Sequence, residues 1–347
     1  MKKVLFLYTE LAGYVVSCMK AAAQSGLEIH VVRWPVKSEA PFNFGPDLPI
    51  TLYDRMSLNR GDILTLAADL APKAILCSGW VDKDYLAVCR HFAPQTSTVL
   101  LLDNPWQGSL RQRLAVIYAR FFLKRSFNHA WVPGLAQEEF VRRLGIPIGH
   151  IKRGFYCADL PLFDQVWQLR KTQTELHKVL LYVGRYADFK GIRDMWDAFI
   201  HINSEKPHGW TLKCIGTGDL WDERPYHPAV EHVGFVQPSD MHVHLASADV
   251  FILPSHREPW GVVVHEMAAC GMPLLCSDAV GANEAFLEEG KNGFTFRSGD
   301  RESLIEALQK MISLTPEPYR QMGEKSRALA ARINQEQWAS TLHELTD

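Results

Sequence analysis

The sequence predicts an α/β chain built on two doubly wound parallel sheets. Short apolar runs alternate with helical patterns as far as residue 156, which is how βαβ units read in sequence. The alternation lapses over 157–175 into Pro, Asp, Gln and Thr, the composition of a linker, and a second alternating set starts at Lys178. At 347 residues the chain is long enough for two such domains. The expected division is 1–160, 161–330 and a closing helix over 331–347.

In the first half, strands are expected at 4–9, 28–34, 50–53, 74–78, 98–102, 129–132 and 150–156. Helices are expected at 15–24, ended by Ser25-Gly26, and at 59–70, 82–91, 110–127 and 136–144. The Pro-rich piece 35–49 reads as loop. In the second half, strands are expected at 178–184, 210–215, 232–235, 249–253 and 273–276. The end of the chain is helical over 302–312, 319–332 and 335–346.

Composition narrows the function classes. Hydrophobic residues at 47% and charged residues at 22% are those of a soluble globular protein. A net charge of −2 argues against a nucleic-acid binder, which needs a basic surplus. The seven cysteines are scattered, form no C-x-x-C and in several cases lie in apolar runs. They read as buried thiols of a reducing compartment. Met1-Lys2-Lys3 before an apolar run mimics a signal peptide, but Glu10 and Gly13 interrupt it, so a first strand and a cytoplasmic protein are expected.

The chemistry concentrates between Pro254 and Gly271. A fully apolar run, 248–253, reads as a buried strand. Pro254 and Pro259 stop it, and Gly261 opens a helix over 262–270 that Gly271 closes. A helix N-terminus attracts phosphate through its unpaired amides and partial positive charge. Glu258 precedes that terminus and Glu266 lies within the helix. Eight positions apart, they would be separated by on the order of 10 Å, the span from the sugar to the ribose of a nucleotide-sugar.

This E-x7-E arrangement after strand and loop resembles the donor-site motif of the GT-B glycosyltransferases, family 4 in particular. The resemblance covers nearly all of the second half. Gly184-Arg185 and Phe189-Lys190-Gly191 stand where that family carries an Arg and a Lys. Gly216-Thr217-Gly218 stands at its Gly-containing turn and Gly234-Phe235-Val236 at its base-side loop. Gly281-Ala282-Asn283-Glu284 and an Asn-Gly-Phe-type turn, Lys291-Asn292-Gly293-Phe294, follow. The resemblance implies two Rossmann-like domains facing each other across a cleft. The first would hold the acceptor, the second the nucleotide-sugar donor, and the final helix would cross back to the first. It implies transfer of a sugar from a nucleotide-diphosphate sugar to a glycan, lipid-linked or small-molecule hydroxyl, with retention. The rival expectations are a nucleotide-sugar epimerase of the same plan and a non-catalytic nucleotide-sugar-binding subunit.

Within that frame Arg185 and Lys190 would neutralise the diphosphate as charge builds on it. Glu258 would bind and orient the transferred sugar. Glu266, Gly261, Val262, Trp260, Gly216, Phe235 and Val236 would line the donor. The first half departs from the family at two places. Asp103 follows the strand where many members carry a His; it fits either a catalytic contact with a sugar hydroxyl or a turn before Pro105. One glycine, Gly13, stands where the family often has two, and serves either backbone approach to phosphate or a turn.

Asp82-Lys83-Asp84 has the D-x-D spacing of metal-dependent transferases but sits at a helix start, where Asp caps. No metal and no cofactor beyond the donor co-substrate are expected. Helix 110–127 mixes Arg111, Arg113, Arg120, Lys124 and Arg125 with large apolar residues. It reads either as a peripheral membrane contact or, the preferred reading, as a core helix whose cations reach water.

Overall fold

Parallel strands are covered on both faces, so each apolar run that the sequence offers becomes a buried strand. The computed structural model describes residues 1–35, 48–173 and 175–347, and most of the loop expected at 35–49 lies outside them. The chain divides into two units, Met1–Cys157 with Ile333–Asp347, and Ala158–Arg332.

The first unit holds strands β1 (Lys2–Tyr8), β2 (Leu27–Arg33), β3 (Ile50–Asp54), β4 (Ala74–Ser78), β5 (Ser97–Leu101), β6 (His129–Val132) and β7 (Ile151–Arg153). They form one parallel sheet in the order β3-β2-β1-β4-β5-β6-β7. Its helices include α1 (Gly13–Gln24), α2 (Arg60–Leu70), α3 (Lys83–Phe92), α4 (Leu110–Leu123) and α5 (Leu135–Leu144). Asn59 and Asp62 form a capping box at the start of α2. Asp82 caps α3 by accepting from the amides of Asp84 and Tyr85 at 2.8 and 3.2 Å. Asp82 and Asp84 are also both paired with Arg55, so the D-x-D carboxylates serve the helix start. The preferred reading of α4 as a core helix is corrected: among its described side chains only Ala119 and Leu123 are buried, while Leu110, Leu114, Ile117 and Tyr118 are all more than 60% exposed.

The second unit repeats the plan. Strands β8 (Val179–Val183), β9 (Thr211–Ile215), β10 (Val230–Gly234), β11 (Val250–Leu253), β12 (Leu274–Ser277) and β13 (Gly293–Phe296) pair in parallel in the order β10-β9-β8-β11-β12-β13. The helices are α6 (Leu160–Arg170), α7 (Ile192–Glu205), α8 (His242–Ala246), α9 (Val262–Ala269), α10 (Asn283–Phe286), α11 (Arg301–Ile312) and α12 (Pro316–Ala330).

Two sequence expectations change here. The stretch 157–175 is not a structureless linker, because α6 occupies most of it. Pro161 sits in its first turn, where a missing amide does no harm, and Phe163 and Val166 are buried at helical spacing. Arg170 then donates to the carbonyls of Cys270, Leu245 and Asp249, tying α6 to this unit. The Asn-Gly-Phe turn is the lead into an edge strand: Gly293 opens β13 so close to β12 that a Cβ would lie 1.9 Å from the Leu274 carbonyl oxygen.

The last helix, α13 (Gln335–Glu344), belongs to the first unit. Its Trp338 is 2% exposed, packs on Trp131 with ring centres 4.7 Å apart, and donates its indole N–H to the Phe155 carbonyl at 2.8 Å. All seven cysteines are buried and unbridged. Among the described residues no helix is long and apolar enough to cross a membrane. Trp338→Ala removes a large buried ring and one hydrogen bond, and should destabilise the first unit by about 3–5 kcal/mol. Urea unfolding followed by Trp fluorescence and far-UV dichroism measures this; a loss below about 1 kcal/mol would contradict that packing.

Candidate functional site

In an open parallel sheet, ligands gather outside the carboxyl ends of the strands where the strand order reverses. In the second unit that reversal lies between β8 and β11. The loop after β8 carries Arg185 and Lys190, and the loop after β11 carries Glu258. The fold therefore puts these three residues at one place for a topological reason independent of any motif.

The two loops are bound together by backbone. The Phe189 carbonyl accepts from the amides of His256 and Arg257 at 2.9 and 3.2 Å. Gly191 has φ +62°, and a Cβ on it would lie 2.1 Å from the Pro254 carbonyl oxygen, so no other residue fits. This contact brings the Lys190 ammonium onto the Glu258 carboxylate, and the Ser255 hydroxyl donates to the same oxygen at 3.3 Å. Both side chains of the ion pair are only 13% exposed. Two cations lie near the Phe189 ring, the Arg185 guanidinium 5.3 Å and the Lys190 ammonium 5.7 Å from its centre.

Glycine again sets the spacing around this group. Gly216 ends β9 so close to the β8 loop that a Cβ would sit 2.0 Å from the Gly184 carbonyl oxygen. Gly261 has φ +94° and precedes α9, and a Cβ there would press the Glu258 side chain at 2.9 Å. The amides of Val262 and Val263 open α9 with no acceptor among the described residues, as the first turn of a helix leaves them. Val262 itself is half-buried. Phe235, 40% exposed, and the half-buried Val236 follow β10 at the next strand end.

Trp260 corrects the sequence reading. Its indole is 3% exposed and packs edge-on against Phe286, so it does not present a ring to a ligand. Its carbonyl instead accepts from Ala282, while the Glu258 carbonyl accepts from Gly281, a glycine whose Cβ would lie 2.3 Å from the Pro259 oxygen. Trp260 thus anchors the loop from below.

Glu266 is half-buried on α9 and touches neither Lys190 nor Glu258. Its carboxyl sits deep enough in protein that desolvation, with a smaller contribution from Asp159, raises its pKa to about 7. The neighbouring His265 is driven the other way, to about 4, chiefly by burial. Its Nδ1 accepts from the Ala158 amide at 3.0 Å, its Nε2 lies 2.9 Å from the Ala330 carbonyl, and its ring stacks on Phe286. His265 is a neutral core residue, and sequence alone gave no reason to notice it.

The first unit has its own reversal, between β1 and β4, and a cavity of about 430 Å³ lies there. Asp103 lines it and accepts from the Tyr156 hydroxyl at 3.1 Å. Tyr14, edge-on to Tyr156 at 5.5 Å, and the Ser78 hydroxyl complete a wall of rings and polar groups. Tyr156 was not singled out from the sequence, because a Tyr at the end of an expected strand carries no signal. Gly13 opens α1 with open space where a Cβ would be, so neither strain nor crowding within the protein requires glycine.

Two parallel-sheet Rossmann-like units give the chain the α/β GT-B architecture. The family model described as glycosyl transferases group 1 matches residues 177–313, all within the second unit. Glycogen synthase of Mycobacterium tuberculosis is 34% identical over 140 residues, covering 38% of this chain and 33% of that protein. The phosphatidyl-myo-inositol mannosyltransferase of Propionibacterium freudenreichii is 29% identical over 304 residues, covering 86% of this chain and 73% of that protein. The chain spans only 33–44% of the length of the first curated relatives it matches. Among solved structures, sucrose-phosphate synthase from Thermosynechococcus elongatus superposes with a TM-score of 0.75 at 20% identity, covering 99% of this chain and 98% of that one. Anabaena HepE in complex with UDP and glucose gives 0.72 at 18%, covering 99% of both. At these identities the structures establish the shared fold.

The opposite shifts on α9 predict a stability optimum. A raised carboxyl pKa stabilises the fold most below its unfolded value near 4.5 and loses that contribution as pH rises through 7. A depressed histidine contributes above 6.5 and loses as pH falls towards 4. Tm should therefore fall on both sides of a region near pH 5–6. Glu266→Gln should flatten the alkaline limb, raising stability at pH 8 by about 1–3 kcal/mol relative to the unaltered protein. Calorimetry across pH 4–9 checks this; an unchanged alkaline limb would mean that Glu266 is already ionised at neutral pH.

Proposed function

We propose that the protein is a retaining, family 4-like glycosyltransferase that moves a hexose from a nucleotide-diphosphate sugar to an acceptor hydroxyl. One observation carries the reading: two cations, Arg185 and Lys190, and one carboxylate, Glu258, converge at the sheet reversal beside the unpaired first-turn amides of α9. Cations and helix amides suit a diphosphate, and a carboxylate beside them suits sugar hydroxyls. HepE, which shares the fold, binds UDP and glucose, and this supports a nucleotide-sugar donor here.

In this reading the transferred sugar lies against Glu258, and the departing diphosphate meets Arg185, Lys190 and the amides of Val262 and Val263. Charge grows on the leaving oxygen as the glycosidic bond breaks, so cations placed there favour the transition state over the ground state. The leaving phosphate would take the proton of the incoming hydroxyl on the same face, which gives retention. Glu266 would hold the ribose diol, with Phe235 and Val236 beside the base. The two cations supply the neutralisation that a metal gives elsewhere, so no metal ion is required. The acceptor, a glycan, lipid-linked or small-molecule hydroxyl, would enter the first-unit cavity, where Asp103 is held by Tyr156 and meets the reacting hydroxyl. Seven buried, unbridged thiols support a cytoplasmic setting.

Thermal-shift titration with UDP, GDP, ADP, dTDP and CDP, each with EDTA, is the direct test. One nucleotide should raise Tm selectively, undiminished by EDTA, and the rise should shrink at least about tenfold in apparent affinity in Glu266→Gln. No shift with any of them, from folded protein, would overturn the nucleotide-sugar reading. With the donor named, Arg185→Ala, Lys190→Ala and Glu258→Gln should each lower kcat/KM by about 10²–10³-fold. Gly13→Ala should leave Tm unchanged and lower kcat/KM only if donor phosphate approaches that backbone; three site variants at full rate would refute the assignment.

A further inference from the structure

We propose that α4 is a docking surface for an anionic lipid membrane, a property separate from the transfer reaction and independent of the donor site. The observation is an apolar stripe on the wrong side of the helix. Leu110, Leu114, Ile117, Tyr118 and Phe122 are 78, 67, 64, 70 and 41% exposed. At about 100° per residue they fall within one arc of roughly 140°. Ala119 and Leu123, both buried, and the partly buried Val116 lie on the opposite side and attach the helix to the sheet. Core packing explains the inner face and leaves the outer one without a partner. Large side chains in a continuous exposed row mark an interaction surface.

Charge selects the occupant. Arg113, Arg120 and Lys124 line one side of the stripe, Arg111 sits within its far margin and Arg125 lies just past the helix end, all exposed. None of the five forms an ion pair among the described residues. From Asn104 to Gln137 the sequence contains no Asp or Glu at all, so this stretch carries +5 in a chain whose net charge is −2. A protein partner would have to match that field with a dense acidic face and also fill an apolar row. An anionic bilayer offers both, with headgroups for the cations and acyl chains for Leu, Ile, Tyr and Phe. A helix held to its domain by one face and lying on a membrane with the other needs no spanning segment.

The test is sedimentation of the full protein with vesicles of phosphatidylcholine alone and with about 30 mol% phosphatidylglycerol, at low and high salt. Binding is expected to the anionic vesicles only, and high salt should release it. Each cation near such a surface is worth about fivefold in partitioning, so Arg111→Gln with Lys124→Gln should weaken binding by about 25-fold. Ile117→Glu with Tyr118→Glu should abolish it while Tm stays unchanged, because both side chains are in water. If that variant misfolds, Leu114→Ser alone should cost about fivefold in binding. No binding to anionic vesicles overturns the proposal. So does equal binding by the variants and the unaltered protein. A concentration-dependent dimer that Ile117→Glu dissolves, without vesicle binding, overturns it in favour of a second copy of the chain.

Discussion

Gly191 approaches the Pro254 carbonyl so closely that a single methyl group would overlap the oxygen. Most of the second unit's chemistry depends on it. The approach locks the loop after β8 onto the loop after β11, and only then can the four-carbon stem of Lys190 deliver its charge to Glu258. The Phe189 carbonyl reinforces the lock by taking two amides from the other loop, and the Phe189 ring lies near both cations. Glycines at 216, 261 and 281 repeat the device at neighbouring loops. A largely buried ion pair is a poor source of stability, since desolvation offsets most of its attraction. Its presence is better explained by what it holds in place than by what it adds to folding.

The sheets were legible because buried parallel strands must be apolar throughout, and the runs at 4–7, 74–77 and 250–253 have no other reading. The convergence of Arg185, Lys190 and Glu258 was legible too, since residues that follow strands at a reversal have few places to go. Side-chain direction was not. Trp260 looks like a ligand platform in sequence and is turned inward under the loop. Helix α4 is apolar on two sides, and nothing in the order of its residues says which side meets the sheet. α6 was hidden by the Pro, Asp and Gln set among its apolar residues, and β13 by the Asn-Gly pair at its start. The raised carboxyl of Glu266 was out of reach, because desolvation depends on what surrounds a group and not on its neighbours in sequence.

Adjacent residues on α9 show how finely that environment varies. The His265 ring is enclosed between an amide and a carbonyl that fix its neutral form, while the Glu266 carboxyl, one position on, finds no such donor among the described residues. Both depart from their ordinary titration, in opposite directions and for the same reason, the loss of water. The first unit uses burial differently. At its sheet reversal, burial raises the Tyr156 hydroxyl well above its usual pKa, which keeps it a donor towards Asp103 across the ordinary pH range. One unit thus offers fixed charge at its sheet edge and the other offers hydroxyls and rings.

The discontinuity of the first unit has a consequence for how the molecule is made. Residues 1–157 leave the ribosome first, yet their core still lacks Trp338, which fills the space beside Trp131 and Phe155 and donates to the Phe155 carbonyl. The second unit, an uninterrupted segment, has everything it needs as soon as residue 332 has emerged. Synthesis order and completion order are therefore reversed: the half that starts first finishes last, with an apolar gap to be shielded throughout elongation. Premature termination between residues 332 and 338 would release a chain with one sound unit and one open core, the kind of product that chaperones retain and proteases remove.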